Sequence, residues 1–346
     1  MRYKRSASWA AGVLVAVVSL AGCASPVLNT LPKKSSASSA VTTTSAASAC
    51  TPDGSFISAC VRLGDLTTLD PCSLITAGQL PPDLAAAPSD RDSLDHCDFT
   101  ITAGSEKNVT LEIGQLESAD GSSEGGYTAG SQQLQATGLD LRKGALNNGE
   151  CDDAVEFLGD DVDLDVVSFV FNGAGSQSMC DAVNEVGTAL GAVIASKAPV
   201  QHFTVPKNSI ARVQSCELIN GTQIGANTLD AQVDSPSDHS CEWTEADGDS
   251  VDQYGIELEI GTKLDPSDTN GQVQVHGLPT IVLKNSDSSS SRCELDTYRA
   301  PWGGGAGGLV ETAAVWAFLG PGQTDAACSQ ATQLANVAWP KLPPIS

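Results

Sequence analysis

Pro71-Cys72-Ser73-Leu74-Ile75 returns as Ser215-Cys216-Glu217-Leu218-Ile219, and Cys97-Asp98-Phe99-Thr100 returns as Cys241-Glu242-Trp243-Thr244, each 144 residues further on. Working outward from these echoes, eight cysteines fall into two sets of four: Cys72, Cys97, Cys151, Cys180 and then Cys216, Cys241, Cys293, Cys328. Corresponding members lie 144, 144, 142 and 148 positions apart. Self-similarity at a fixed period is the mark of a repeated structural unit. Agreement in both spacing and local sequence reads as a tandem duplication. The strongest identity is Leu111-Glu112-Ile113-Gly114 against Leu258-Glu259-Ile260-Gly261.

Periodicity within one unit gives its fold. Val109, Leu111 and Ile113 alternate with Thr110, Glu112 and Gly114, the pattern of a half-buried strand. The twin sets Ile256, Leu258 and Ile260 against Glu257 and Glu259. Further strands are expected at 97–102, 139–143, 165–171 and their counterparts, ending with 313–319. From Cys180 the apolar Val183, Val186, Leu190 and Ile194 recur at helical spacing, and Leu334, Val337 and Ala338 repeat this after Cys328. Helix, run of strands, helix is the order of an α+β fold with an antiparallel sheet, not of alternating βαβ units. The sequence therefore predicts two tandem copies of an antiparallel-sheet domain with terminal helices, disulfide-linked. Each spans about 140 residues, an ordinary domain size. The expected boundaries are 61–199 and 200–346, with residues 200–208 as the link.

Ahead of the repeats, Arg2, Lys4 and Arg5 precede an apolar run, Ala7–Ala21, too short to span a bilayer. The run ends in Leu20-Ala21-Gly22-Cys23, which resembles the lipobox of bacterial lipoproteins. That resemblance implies a signal peptide over 1–22, acyl chains on Cys23, and a stable anchor, since several chains hold where one does not. Residues 23–60 read as a lipid-anchored flexible tether. The stretch from Ala24 to Ala49 is rich in Ser, Ala and Thr and has almost no large apolar residue to offset its ordering entropy. As a coil it would span about 25–30 Å. The expected place is the extracytoplasmic face of the cell membrane.

Composition fits export. Eleven cysteines is high for 346 residues, and a reducing cytosol would keep them as thiols. With Cys23 set aside ten remain. No CxxC pair is present and the four histidines are scattered, so a disulfide framework is expected and no metal or cofactor. If bridges stay within a unit and both units agree, three connectivities survive. Pairing neighbours gives Cys72–Cys97, Cys151–Cys180, Cys216–Cys241 and Cys293–Cys328 and ties each terminal helix to the sheet, with Cys50–Cys60 closing a small loop. The alternative, first to fourth and second to third, pins the two helices side by side. The formal charge of -24 becomes -27 once the three basic signal residues are removed. Such a field excludes nucleic acid as a partner.

Leu69-Asp70-Pro71-Cys72-Ser73-Leu74-Ile75, with Cys97-Asp98-Phe99 and the Cys-led closing helix, resembles a family of actinobacterial cell-envelope lipoproteins known chiefly as a domain of unknown function. The resemblance covers most of 66–198 and, less fully, 210–343, where Gln214-Ser215 replaces Asp70-Pro71. A looser similarity to extracellular sensor domains of mycobacterial membrane kinases implies recognition of a ligand or partner. Neither brings catalytic residues.

Four local patterns invite chemistry. Gly121-Ser122-Ser123-Glu124-Gly125 spells a hydrolase nucleophile elbow, but 117–120 separates it from the strand and Gly125-Gly126 opposes the helix that must follow. Gly303–Gly308 contains a GxGxxG, yet a strand and not a helix is expected after it. Asp161, Asp163 and Asp165 alternate on one strand face, but Val166 and Asn172 occupy the Gly and Glu positions of an EF-hand loop, so a solvated strand edge is the better reading. His96 and His239 sit one and two residues before equivalent cysteines, which a shared turn geometry explains as well as a pH sensor would. The chain is therefore read as a non-catalytic envelope module binding a ligand or protein partner. An extracellular hydrolase and a structural, wall-facing lipoprotein are the alternatives.

Replacing Cys23 by Ala should leave unprocessed precursor, or release the protein to the medium if another peptidase cuts it. Detergent phase partitioning with immunoblotting checks this, and mature, detergent-dependent protein in the variant would refute the anchor.

Overall fold

The computed structural model describes residues 57–345 except 76–78, 81–83, 85–86, 89–92, 104–105, 119–131, 145, 147–149, 161, 171–174, 220–228, 235–236, 246–251, 266, 268 and 304–307. The first repeat opens with α1 (Ile57–Leu63) and continues through β1 (Ala87–Pro88), β2 (Cys97–Ala103), β3 (Glu106–Ser118), α2 (Gln132–Gln135), β4 (Leu139–Lys143), β5 (Glu150–Phe157) and β6 (Val162–Val170) to α3 (Gln177–Ala195). The second comprises α4 (Ser215–Leu218), β7 (Leu229–Asp234), β8 (Ser240–Glu245), β9 (Gln253–Thr262), β10 (Gln272–Val275), β11 (Leu278–Ser286), β12 (Ser291–Pro301), β13 (Leu309–Leu319) and α5 (Thr324–Ala338). Both sheets belong to one compact unit. None of the described helices is long and apolar enough to cross a membrane.

The sheets are antiparallel throughout, in the orders β1-β2-β3-β6-β5-β4 and β10-β11-β12-β13-β9-β8-β7. Reading the second from β11 to β7 reproduces the first from β4 to β1, with β10 added at the edge. The fold is α+β and duplicated. One face of each sheet carries the alternating apolar residues under a single long helix. Phe99, Leu111, Ile113, Val155 and Phe157 lie under Val183, Val186 and Leu190 of α3. Trp243, Ile256, Leu258, Leu295 and Val315 lie under Ala327, Ala331 and Leu334 of α5.

Four disulfides join Cys72 to Cys97, Cys151 to Cys180, Cys216 to Cys241 and Cys293 to Cys328. They link neighbours within each repeat: the opening turn to β2 or β8, and β5 or β12 to the closing helix. Cys60 is also disulfide-bonded. Its expected partner Cys50, like Cys23, lies outside the described residues.

Several expectations change on folding. The opening helix at Cys72 is one 3-10 turn, Pro71–Ser73, because Asp70 caps it and Pro71 starts it before Leu74 and Ile75 turn into the core. Helix α1 begins at Ile57 and buries Ala59 and Leu63 completely, so folded structure starts ahead of residue 61. The link at 200–208 is fastened: Asp70 N–H donates to the Gln201 carbonyl at 3.0 Å, Phe203 N–H to the Thr68 carbonyl at 2.7 Å, and Gln201 N–H to Ser73 Oγ at 2.8 Å. Strand β6, which holds Asp163 and Asp165, is interior between β3 and β5, so it is no solvated edge.

The identical tetrapeptides are not structural equivalents. Cys97 faces Ile113 across β2–β3, whereas Cys241 faces Ile256 across β8–β9. Ile113 therefore corresponds to Ile256, and Leu258–Gly261 lies four residues out of register with Leu111–Gly114. A strand's period of two explains the coincidence, since any even offset preserves the inward face. Two glycines mark where the copies differ. Gly114 sits at φ +110° at a break in the β3–β6 register, where a Cβ would lie 2.7 Å from Pro71. Gly255 lets the Trp316 ring lie flat on β9: a Cβ there would fall 2.4 Å from its Cε2 and Cζ2. The ring cannot retreat, because its Nε1–H donates to Glu257 at 2.8 Å and Arg292 covers it at 4.9 Å.

Gly255→Ala should therefore cost about 1–3 kcal/mol and shift tryptophan fluorescence. Chemical denaturation checks both, and a neutral substitution would show that the ring is not confined.

Candidate functional site

The segment Ser93–Asp98, leading into β2, brings the chemistry together. Ser93 Oγ accepts hydrogen bonds from the N–H groups of Asp95, at 3.0 Å, and His96, at 3.3 Å, and so fixes a turn. From this turn Asp95 reaches the second repeat. Its Oδ1 lies 2.6 Å from His239 Nδ1, and His239 is 1% exposed. The other ring nitrogen, Nε2, faces the Ala211 carbonyl at 3.3 Å. A carbonyl only accepts and the carboxylate accepts, so the geometry calls for protons on both nitrogens, an imidazolium. Burial alone would lower the His239 pKa. The charge of Asp95, the hydrogen bonds to Asp95 and Ala211, and the charge of Asp238 outweigh it and raise the value.

Apolar groups complete this joint. Leu94 of the first repeat, Val205 of the link, and Ala211, Ile260 and Trp302 of the second repeat form a buried cluster. Phe203 meets Trp302 edge-on at 5.3 Å. Asp95 and His239 are 144 residues apart, the repeat period itself, so each is the other's counterpart. The 3-10 turn Leu66–Thr68 likewise packs against its own counterpart, Ile210–Arg212. Like positions meeting like positions is the geometry of a two-fold interface. Here the two halves are covalently continuous.

On the other side of the same turn, His96 Nε2 lies 3.7 Å from Asp98 Oδ1. Asp98 stands directly across from Glu112 in the β2–β3 ladder. Ligand atoms of all three groups lie within 4.8 Å of one another. The counterparts in the second repeat are Ser240, Glu242 and Gly255, with the Trp316 ring over the glycine. A cleft of about 300 Å³ opens elsewhere on the first repeat, between the end of β2 and the start of α3. Its lining mixes apolar Leu84, Ala103 and Ala182 with polar Thr102, Ser178, Asp181 and Glu185.

Ser123 and Asp161 lie outside the described residues. Strand β13 begins at Leu309, directly after the glycine run, so no helix follows it. His96 and His239 both lie in the turns that lead to Cys97 and Cys241, but at different positions in them. The true counterparts are Asp95 with His239 and His96 with Ser240, and the two imidazoles serve different clusters. The 144-residue separation of Asp95 and His239 was the signal for the joint. A His-x-Asp facing a neighbouring strand's Glu was the signal for the second cluster.

Asp153 is another buried titrating group. Asp153 on β5 is 1% exposed and faces α3 at Gly187, where its counterpart in the second repeat is Leu295 of the core. Gly144 N–H donates to its Oδ1 at 3.2 Å. Burial dominates and pushes the carboxyl up to about 7.

Both groups make stability fall as pH rises, in different windows. Between about 4 and 7 the unfolded Asp153 has lost its proton while the folded one keeps it, so stability declines there and levels off above 7. The His239 contribution is whole below its unfolded value of about 6.5 and fades as pH climbs through its raised folded value. Thermal unfolding against pH should show both limbs. Asp153→Leu should flatten the first and stabilise the protein at pH 7.5. Asp95→Asn should remove the second and cost about 3 kcal/mol below pH 6.5. A pH profile unchanged in both variants would refute these assignments.

Compared with known proteins, the chain matches no family model, no curated protein and no solved structure.

Proposed function

We propose that this chain is an exported lipoprotein, anchored through Cys23 to the outer face of the cell membrane, and a non-catalytic module that binds an envelope ligand or protein partner. Residues 20–23 with the short apolar run before them support the anchor. The disulfides support an oxidising compartment. The observation that carries the binding reading is the cleft between β2 and α3. It is lined by both apolar and polar side chains, the combination that orients a bound group while burying part of it. Its rim acids, Asp181 and Glu185, favour a partner presenting cationic or hydrogen-bond-donating groups. The resemblance to envelope lipoproteins and extracellular sensor domains points the same way. The hydrolase alternative rests on Ser123, and the wall-facing structural alternative on the anchor and the rigid joint.

Crosslinking in living cells, followed by identification of the attached species, tests the reading. Asp181 and Glu185 are exposed on α3, so Asp181→Lys with Glu185→Lys should leave the fold intact and abolish the specific adduct. An adduct that forms equally in that variant would overturn the assignment of the cleft.

A further inference from the structure

We propose that the first repeat carries a binding site for one divalent transition-metal ion of the zinc class, with His96 Nε2 and the carboxylates of Asp98 and Glu112 as its protein ligands. This site is separate from the cleft and stands whether or not the cleft binds anything. Three observations carry it. Ligand atoms of the three groups already lie within 4.8 Å of one another, and His96 Nε2 and Asp98 Oδ1 are 3.7 Å apart. Zinc holds nitrogen and oxygen ligands at about 2.0–2.2 Å, which sets neighbours in a tetrahedron roughly 3.4 Å apart. Small side-chain rotations therefore close the site on a fixed backbone.

The backbone itself supplies the second observation. Asp98 and Glu112 are paired directly across two neighbouring strands, and Glu112 is only 9% exposed. Like charges directly opposite in a ladder repel. A shared divalent cation converts that repulsion into attraction. The third is the comparison between copies. At the same place the second repeat has Ser240, Glu242 and Gly255, with the Trp316 ring filling the space above the glycine. The two copies thus share the sheet but differ at this place, where one has an aromatic platform and the other three groups of metal-ligand type. An imidazole with two carboxylates suits zinc-class ions better than calcium, which takes an all-oxygen shell of six to eight ligands. His96 is 25% and Asp98 16% exposed, so a fourth position stays open to solvent or to an oxygen of a bound molecule.

The test uses the purified mature protein in detergent, freed of metal by chelator and titrated with Zn²⁺ alone in a calorimeter. One ion per chain is expected, since among the described residues only the first repeat has such a cluster. His96→Ala and Glu112→Gln should each weaken binding at least tenfold, whereas His276→Ala should leave it unchanged. Circular dichroism and non-reducing peptide mapping confirm that each variant keeps its fold and disulfides. Co²⁺ in place of Zn²⁺ should give ligand-field absorption that both ligand variants lose. No saturable uptake, two ions per chain, or one-to-one uptake that persists in both ligand variants would overturn the proposal.

Discussion

Each sheet in this protein has a single long helix to cover it, and the attachment of that helix to the sheet is the constraint on which the rest depends. A helix of 19 or 15 residues laid on one sheet face buries a strip of apolar side chains and leaves its ends to fray. The Cys151–Cys180 and Cys293–Cys328 bridges fasten the N-terminal part of each closing helix to strand β5 or β12 of its sheet. The Cys72–Cys97 and Cys216–Cys241 bridges do the same for the opening turn. Closing loops of this size is worth about 3 kcal/mol each in the chain-entropy account. With both ends of a repeat pinned, β2 and the turn before it have a fixed position, and that turn carries Asp95, His96 and the start of the β2–β3 ladder.

Small residues then decide what each copy does with the same framework. Gly255 admits a tryptophan where the first repeat has Glu112. Leu295 fills the core where the first repeat buries Asp153. Substitutions of this kind leave strand order and helix position untouched, because register is held by alternation and the bridges. They change the chemistry of a face. The outer face of the first repeat gathers an imidazole and two carboxylates, while the corresponding part of the second is occupied by an indole under a guanidinium.

Much of the fold was legible before any coordinates. Cysteine spacing revealed the duplication because covalent geometry tolerates little drift, and strand β4 falls on the expected residues because its alternation is clean. Less legible were features that depend on absolute register or on contacts between distant segments. The Leu-Glu-Ile-Gly identity misleads by four residues because a strand pattern cannot distinguish even offsets. The opening helix shrinks to a turn because Asp70 and Pro71 can start a helix but Leu74 and Ile75 must turn inward. The candidate cluster of His96, Asp98 and Glu112 is invisible to a search for closely spaced ligands, since its third member comes from across a hairpin. The joint was concealed because charged residues outside any motif read as surface.

The pairing of Asp95 with His239 also bears on how the two repeats recognise one another. In a symmetric dimer of identical subunits the residue on the axis must face itself, so Asp would meet Asp or His would meet His. Neither can make the buried contact seen here. Within one chain the two repeats are free of that constraint, and the equivalent positions hold complementary groups. The contact therefore fits a first repeat against a second one, whereas two first repeats would bring carboxylate to carboxylate at this seam and two second repeats imidazole to imidazole.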